Sequence, residues 1–308
     1  MAQGRCYILV VERDDVICDS LHKASFSSIP SWPPKLKARR VITEDTIERS
    51  PAIVLEHKAQ GASADSTFIP SQLPALDQKS CPNPEHIPAP VEVINTDSFA
   101  VARTILASDP TQKVAVLNLA SDILPAGPWL QVMTTTQEEA LCYPSTLYIT
   151  LKESYYPWPN LGEGCVAGVY SPGVVVFRDD LDHDCVELSL DERHIVSVIT
   201  VAAPAWPDLT LDRQAFESPS TLMFLREKIR LVYRMAAHNG QQYLVLGAMG
   251  CGAYAWPPRL VAIEMRNILL EPEFRGWFEK VVFAIYSRPG NGPGNFEIFE
   301  DVFKGVEV

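Results

Sequence analysis

Two adjacent carboxylates, Glu138 and Glu139, stand where a loop gives way to the start of a helix. The loop follows an apolar run that reaches Asn118, and it contains Ala126 and Gly127. Carboxylates presented in this way are suited to general acid–base catalysis or to binding sugar hydroxyls. The alternative is compensation of the helix dipole, which is worth only about 0.3–1 kcal/mol. The flanking sequence must decide between the two interpretations.

A second loop with potential chemistry runs from Gly247 to Pro258, after one strand-like run and before a helix-like run. Its glycines allow a tight turn that directs backbone N–H groups towards a ligand. Pro257 and Pro258 favour the first turn of the helix that follows. A diphosphate matches such a set of N–H donors, whereas a purely structural turn is the alternative.

The composition restricts the partners of the chain. It has 308 residues with 47% hydrophobic and 21% charged residues, a profile typical of globular proteins, and a net charge of −12. That charge argues against general binding to nucleic acid or to an anionic membrane. No apolar run approaches the ~20 residues of a membrane span. The apolar patch Cys6–Val11 is too short for a secretory signal, so we expect none.

The seven cysteines are odd in number and include no C-x-x-C pair. This pattern predicts neither a disulfide framework nor a zinc ribbon. Cys81 and His86 are a weak metal-binding signal without a second pair of ligands, so no metal site is expected. A reducing compartment, cytoplasmic or nuclear, fits this cysteine usage.

The chain divides into two regions that differ in composition and in hydrophobic periodicity. Residues 1–90 read as a helical and Pro-rich extension that packs on the core, with a helix over Thr43–Gln60 and six prolines from Gly61 to Pro90. Residues 91–308 alternate strand-like and helix-like runs. The predicted strands are Val91–Asn95, Lys113–Ala120, Gly173–Phe177, Ile195–Ala202, Tyr243–Gly247 and Val281–Tyr286. The predicted helices are Asp97–Ser108, Phe216–Asn239 and Pro257–Leu270.

Such alternation predicts an α/β fold with helices on both faces of the sheet. In an open α/β sheet the ligand site lies at the carboxyl ends of the strands. Both loops follow strands, so the sheet would bring the carboxylate pair and the glycine-rich segment to one edge.

Several separated motifs resemble the catalytic domain of microbial-type poly(ADP-ribose) glycohydrolases. They occur in the family's order over roughly residues 40–303. The motifs are Asn95–Phe99, Asn118–Ala120, Pro125–Pro128, Gln137–Glu139, Tyr170–Asp180, Ala202–Pro204 and Gly250–Pro258. The resemblance implies a macrodomain-like mixed sheet and cleavage of the ribose–ribose O-glycosidic bond of poly(ADP-ribose).

The resemblance also implies roles for individual residues. Glu139 would be the catalytic acid/base, Glu138 would hold a ribose hydroxyl and Asn118 would orient the distal ribose. The remaining residues of the ligand-binding set are Ala126, Gly127, Gln137, Gly250, Cys251, Gly252, Ala253 and Tyr254. The backbone of Gly250–Ala253 would bind the diphosphate, and Tyr254 would pack beside the distal ribose unless it is an ordinary core-edge residue. No cofactor is implied, and the partner would be ADP-ribose or an ADP-ribosylated protein.

One motif departs from the family, because Ala126-Gly127-Pro128 stands where three glycines are usual. Pro128 lacks an N–H, and the β-carbon of Ala126 disfavours left-handed backbone. We further expect Met133 and the threonines 134–136 to narrow the cleft, and Pro144 to kink the helix that contains the glutamates. A second hypothesis is therefore a catalytically weakened or inactive ADP-ribose-binding macrodomain, or an interaction protein with a decayed pocket.

One question about the substrate remains open on the sequence. Hydrolysis of single ADP-ribosyl groups cannot be separated from cleavage of the polymer. Arg178 and Asp179, inside the resembling Tyr170–Asp180 motif, are expected to form a structural ion pair beneath the site.

Overall fold

The computed structural model describes residues 33–85, 87–287 and 294–308. The Cys6–Val11 patch, Cys18 and His86 lie outside the described residues. The other five cysteines are free thiols, and all five are buried. Within the described part of the chain, no helix combines the length and the apolar composition needed to cross a membrane.

Seven strands and seven α-helices form the described fold. The helices are α1 Pro34–Glu56, α2 Ser98–Ser108, α3 Trp129–Val132, α4 Gln137–Cys142, α5 Pro219–His238, α6 Pro258–Leu269 and α7 Asn295–Phe303. The strands are β1 Thr67–Ile69, β2 Glu92–Ile94, β3 Val114–Leu119, β4 Gly168–Val176, β5 His194–Val201, β6 Tyr243–Leu246 and β7 Lys280–Ala284. Single 3₁₀ turns lie at Lys58–Gln60, Gln78–Ser80, Tyr148–Thr150, Glu153–Tyr155, Leu181–His183 and Pro272–Phe274.

One mixed sheet joins all seven strands in the order β1-β4-β5-β3-β6-β7-β2. The strands from β5 to β2 run parallel to one another, while β4 is antiparallel to both of its neighbours. The carboxyl ends of β5, β3, β6 and β7 therefore lie at the same edge of the sheet. This confirms the α/β fold expected from the alternation of elements.

The central strand β3 is apolar because it is covered on both faces. Ala115 and Leu117 pack into the cluster built by α5, α6 and α7. Val114 and Val116 point the other way, into the cluster that includes α2, Trp129 of α3 and Leu141 of α4. Side chains alternate along a strand, so Asn118 falls on the same face as Val114 and Val116, towards α4.

The described part of the N-terminal region, residues 33–85 and 87–90, is closely attached to this core. Strand β1 pairs with β4 as the edge of the sheet. Helix α1 contacts the α4 region, where Thr46 Oγ1 donates to the carbonyl of Tyr143 at 2.8 Å. The Pro-rich segment lies along α5, where Arg234 donates to the carbonyl of Leu73 at 2.9 Å. A domain boundary at residue 90 stays a prediction.

Several predicted elements differ from the structure. Helix α1 begins nine residues earlier than the expected Thr43, because Pro34 at its first position favours helix initiation. Strand β4 begins at Gly168 instead of Gly173, since it is interrupted by an irregularity between Ser171 and Val174 that hides its period. The expected kink at Pro144 is wrong, because α4 already ends at Cys142. Strand β1 and helix α7 were not predicted.

Candidate active site

The carboxyl ends of β3, β5 and β6 bring the two loops together. Asn118 near the end of β3 lies opposite Thr200 of β5, and its Nδ2 donates to Thr200 Oγ1 at 3.2 Å. On its other side β3 pairs with β6, which leads directly into the Gly247–Pro258 loop. The sheet therefore places the carboxylate loop and the glycine loop side by side.

Helix α4 presents the two glutamates inwards. Thr136 precedes the helix in an extended conformation, so Glu138 and Glu139 occupy the first turn, where the helix dipole favours negative charge. Both side chains are nevertheless buried. Dipole compensation at a surface does not account for burial of two carboxyl groups, so the structure supports a role beyond helix stabilisation.

Glu138 is held by several donors. Its Oε2 accepts the backbone N–H of Ser121 at 2.8 Å, and its Oε1 accepts Asn118 Nδ2 at 3.2 Å. The backbone N–H of Ala126 contributes a further hydrogen bond. Burial raises the pKa of Glu138 to about 8, and the neighbouring charge of Glu139 also raises it, although these donors oppose the shift.

Glu139 is fully buried. Its Oε2 accepts a hydrogen bond from Thr134 Oγ1, whereas its Oε1 has no partner among the described residues. Burial raises the pKa of Glu139 to about 7, while the Thr134 hydrogen bond and the positive charge of Arg39 oppose that rise. A carboxyl group in this range is protonated in a substantial fraction of molecules near neutral pH, as a general acid requires.

A short segment covers Glu139. Met133 is buried in a left-handed conformation with φ 54°, and its carbonyl accepts Arg39 Nη1 at 3.2 Å. The carbonyl of Thr134 accepts the hydroxyl of Tyr143 at 3.1 Å. The expectation that Met133 and the following threonines narrow the cleft stays a prediction. The participation of Arg39 from α1 had no sequence signal.

Gln137 does not face the cleft with its amide group. Its Nε2 donates to the carbonyl of Leu117 at 2.8 Å, and its Oε1 accepts the N–H of Leu119 at 2.8 Å. The amide nitrogen and oxygen of Gln137 are therefore both hydrogen-bonded to the backbone of β3. We correct the assignment of Gln137 from ligand binding to positioning, because its hydrogen bonds join α4 to the strand that contains Asn118.

The altered glycine motif keeps a left-handed turn. Ala126 has φ 59° and Gly127 has φ 54°, so alanine adopts the left-handed geometry that its β-carbon disfavours. Left-handed backbone costs a non-glycine residue about 1–2 kcal/mol, which the surrounding packing offsets. Pro128, with φ −83°, precedes α3. Trp129 then anchors the loop, with its ring edge-on to those of Tyr143 and Tyr148 at centroid distances of 5.5 and 5.3 Å.

The glycine loop is a compact turn. Gly250 has φ 74°, and a β-carbon there would lie 2.6 Å from the indole of Trp256. The N–H of Cys251 donates to the carbonyl of Ala248 at 3.1 Å, and the Cys251 thiol is buried. Gly252 and Ala253 are exposed, and their N–H groups have no backbone acceptor in the described part of the chain. Two N–H groups without a backbone acceptor in an exposed turn are able to bind an anionic ligand.

Tyr254 connects the two loops. Burial raises its pKa above the usual value, and the negative charges of Asp122 and Glu138 add to the shift. Tyr254 therefore lies within electrostatic range of both the carboxylate loop and its glutamate. On the other side its ring contacts Trp206 edge-on, with a centroid distance of 5.9 Å. Sequence patterns gave no reason to select Trp206, which follows the distant strand β5.

The structure contradicts the expected ion pair between Arg178 and Asp179. Arg178 instead bonds Asp45 of α1, and Asp179 pairs with Arg103 of α2 at 2.6 Å. Adjacent residues of an extended chain point in opposite directions, which separates the two side chains. Asp179, Asp180 and His183 do place ligand atoms within 4.8 Å of one another, but the carboxylates are already engaged by Arg103 and by local N–H groups.

The fold and the site define a class of protein: a macrodomain-like α/β domain with a buried carboxyl pair and a glycine loop at one edge of its sheet. The family described as microbial-type PARG, catalytic domain, matches residues 42–179. The chain belongs to this family of poly(ADP-ribose) glycohydrolases, as solved relatives also show.

Three solved structures illustrate the likeness. Poly(ADP-ribose) glycohydrolase from Thermomonospora curvata is 26% identical, covers 86% of this chain and 99% of its own, and superposes with a TM-score of 0.69. The same enzyme bound to the inhibitor ADP-HPD gives 26% identity over the same shares and a TM-score of 0.67. The Deinococcus radiodurans enzyme in complex with ADP-ribose is 33% identical over 70% of this chain and 84% of its own, with a TM-score of 0.59. No curated protein matches the chain significantly.

Proposed function

We propose that this protein hydrolyses the O-glycosidic ribose–ribose bond of (poly-)ADP-ribose, with Glu139 as the acid/base. The observation that carries the proposal is the state of the Glu139 carboxyl group. It is fully buried, its pKa is raised to about 7, and its Oε1 has no partner within the described part of the chain. A buried carboxyl with a vacant oxygen is placed to exchange a proton with a substrate.

The reaction needs one proton transfer in each direction. Protonated Glu139 donates its proton to the oxygen that leaves with the neighbouring ribose, as the glycosidic bond breaks through an oxocarbenium-like transition state. A water molecule adds to the anomeric carbon, and the Glu139 carboxylate accepts the proton that this water loses. The glutamate is thereby restored to its protonated form.

Glu138 and Asn118 would orient the ribose. Glu138 is fixed by N–H groups of the loop, so its position relative to β3 is well defined. The buried Oδ1 of Asn118 has no hydrogen-bond partner among the described residues. An unsatisfied buried acceptor costs roughly 1–3 kcal/mol, which a donating ribose hydroxyl would recover.

The diphosphate would bind at the glycine loop. Gly252 and Ala253 are exposed, and their N–H groups take no part in the loop's own backbone hydrogen bonds. Gly250 provides the left-handed turn of the loop, and the N–H of Cys251 is used within it. Tyr254 lies within electrostatic range of Glu138. The net charge of −12 does not oppose this, because the anion is held by local backbone dipoles.

A specific observation favours the second candidate function, ADP-ribose binding without turnover. The hydroxyl of Thr134 occupies Glu139 Oε2, and the buried Met133 lies in the segment that covers the glutamate. If this cover stays in place, substrate reaches the diphosphate loop but not the acid. The family membership and the raised pKa of Glu139 support hydrolysis over this alternative.

The test combines binding and turnover. ADP-ribose is titrated by calorimetry, and release of ADP-ribose is measured from poly- and mono-ADP-ribosylated protein. We expect binding by the unchanged protein and by Glu139→Gln, with turnover reduced at least about 100-fold in the variant. The control is Glu300→Gln, an exposed carboxylate on α7. Absence of ADP-ribose binding would refute both candidates, and turnover indifferent to Glu139→Gln would refute the acid/base role.

A further inference from the structure

A second recess adjoins the candidate active site on the far side of Tyr254. It has a volume of about 570 Å³, within the range of small-molecule sites, and it lies against the segment that follows β5. Its walls include Trp206, Asp208, Thr210 and Arg213 from that segment and Tyr254 from the glycine loop. We refer to it as the Trp206 recess. None of its residues other than Tyr254 has a part in the proposed ADP-ribose site.

The segment that forms the recess is fixed to both active-site loops. Asn160 Oδ1 accepts the N–H of Ala205 at 2.5 Å, and the Asn160 side chain also bonds Asp122 of the carboxylate loop. From the other direction, Trp256 Nε1 donates to the carbonyl of Pro204 at 3.0 Å. The start of this segment is therefore held between the two loops, and the position of Trp206 follows from theirs.

Tyr254 is the wall shared by the recess and the site. It is close enough to Glu138 for the two side chains to interact electrostatically, and it contacts Trp206 edge-on at 5.9 Å. A substrate whose ribose lies against Tyr254 would therefore continue into the Trp206 recess. The recess therefore adjoins the candidate active site at Tyr254.

The side chains of the recess fit a nucleotide unit. Trp206 is 40% exposed, so a large aromatic surface is available for stacking a base. Arg213 is exposed and forms no ion pair with any residue that the structure describes, which leaves its guanidinium free for a phosphate. Asp208 supplies an acceptor for an exocyclic amino group, the kind of donor that adenine carries.

We propose that the Trp206 recess binds the ADP-ribosyl unit on the leaving side of the scissile bond, with its adenine stacked on Trp206 and its diphosphate against Arg213. This inference rests on the proposed function and deepens it, because it assigns the polymer, and not a single ADP-ribosyl group, as the preferred substrate. A segment of a modified target protein is the competing occupant, and a peptide has neither a purine base nor a diphosphate to match these side chains.

The experiment uses the full chain with Glu139→Gln, so that bound substrate is not consumed. Affinities are measured by calorimetry for ADP-ribose and for a purified fragment of two ADP-ribosyl units. We expect the two-unit fragment to bind more tightly than ADP-ribose. Adding Trp206→Ala should lower the affinity for the two-unit fragment about 5- to 100-fold more than the affinity for ADP-ribose. Trp206→Phe should restore most of the difference, since it keeps an aromatic face.

Leu190→Ala serves as the control, because this exposed apolar residue precedes β5 and so lies at the opposite edge of the sheet. It should leave both affinities unchanged. Equal binding of the two ligands by the Glu139→Gln protein would overturn the leaving-side site while leaving the proposed function intact. An equal loss of both affinities in Trp206→Ala would overturn it too, because Trp206 would then only support Tyr254. Failure to bind ADP-ribose at all would refute the proposed function.

A second measurement distinguishes an ADP-ribosyl unit from a segment of a modified target protein as the occupant of the Trp206 recess. Active protein with and without Trp206→Ala is assayed on free polymer and on mono-ADP-ribosylated protein. Loss of activity mainly on the polymer supports the nucleotide site. Loss mainly on the modified protein would overturn it in favour of a peptide site.

Discussion

The hydroxyl of Thr134 donates a hydrogen bond to Glu139 Oε2, five residues further along the chain. Together with a hydrogen bond from the backbone of Thr136, this contact links the acid/base to the segment that covers it. It stabilises the ionised form of Glu139 and opposes the rise in pKa caused by burial. Thr134 therefore favours the ionised form of the glutamate against the larger effect of burial.

We expect Thr134→Val to move the pH dependence of hydrolysis. Glu139 must be protonated to act as an acid, so activity is present below its pKa of about 7 and is lost as the pH rises through that value. Removing the hydroxyl raises the pKa, so the decline should shift upwards by about 1 pH unit. The pH profile of kcat/KM measures this shift.

Thr135→Val is the matched control, because the neighbouring threonine makes no side-chain hydrogen bond to either glutamate. Its pH profile should coincide with that of the unchanged protein. If kcat/KM of Thr134→Val declines at the same pH as in the unchanged protein, a group other than Glu139 causes the loss of activity at high pH.

The glycine loop offers a matched pair of substitutions. Gly250→Ala should lower the free energy of unfolding by about 2–5 kcal/mol, because it combines left-handed backbone with a β-carbon 2.6 Å from the Trp256 indole. Gly252→Ala meets no atom within 4 Å and should change stability by less than about 0.5 kcal/mol. Urea unfolding measures both.

Gly252→Ala also tests the diphosphate site. In Gly252→Ala the new β-carbon lies where the ligand would approach the backbone, so the affinity for ADP-ribose should fall while the fold remains intact. Calorimetry of this variant gives the answer. Unchanged affinity would mean that the ligand does not approach Gly252.

Gln137→Glu should destabilise the protein by about 1–3 kcal/mol. A carboxylate still accepts the N–H of Leu119, but it cannot donate to the carbonyl of Leu117, which is left opposite a second acceptor. The exposed Gln131 of α3 is a suitable site for the same substitution as a control. Normal stability together with reduced affinity for ADP-ribose would contradict the positioning role and restore Gln137 to the ligand-binding set.

Lys228 should make stability depend on pH. It is fully buried on α5, where Nζ donates to the carbonyl of Ala202 at 2.8 Å, and burial lowers its pKa to about 8. The folded state then binds fewer protons than the unfolded state, so its contribution to stability increases as the pH rises from about 8 to the ordinary lysine value.

The corresponding experiment compares Lys228→Met with the unchanged protein at pH 7 and at pH 10. The free energy of unfolding of the variant, relative to that of the unchanged protein, should be higher at pH 7 than at pH 10 by roughly 3 kcal/mol. This follows because each pKa unit corresponds to about 1.4 kcal/mol. Lys304→Met, an exposed lysine after α7, should show no such difference. A variant whose relative stability is the same at both pH values would contradict a lowered pKa of the Lys228 amine.

Features that depend on neighbouring residues could be predicted from the sequence, whereas features that depend on contacts between distant segments could not. The continuous apolar run of β3, the cap of α2 at Asp97 and the paired prolines before α6 are local signals, and each predicted an element that the structure contains. The left-handed turn at Ala126 does not follow from the sequence, because local preference opposes it and only tertiary packing stabilises it.

The sequence by itself determined the fold class and the two loops, since strand alternation, glycine turns and helix-start carboxylates depend on neighbouring residues. Only the tertiary structure decided what surrounds each functional group. It placed Arg39 of α1 near Glu139, bonded Gln137 to β3 and set Trp206 against Tyr254. These contacts join segments far apart in the chain, and burial of the carboxyl groups, which raises their pKa, exists only when those segments pack together.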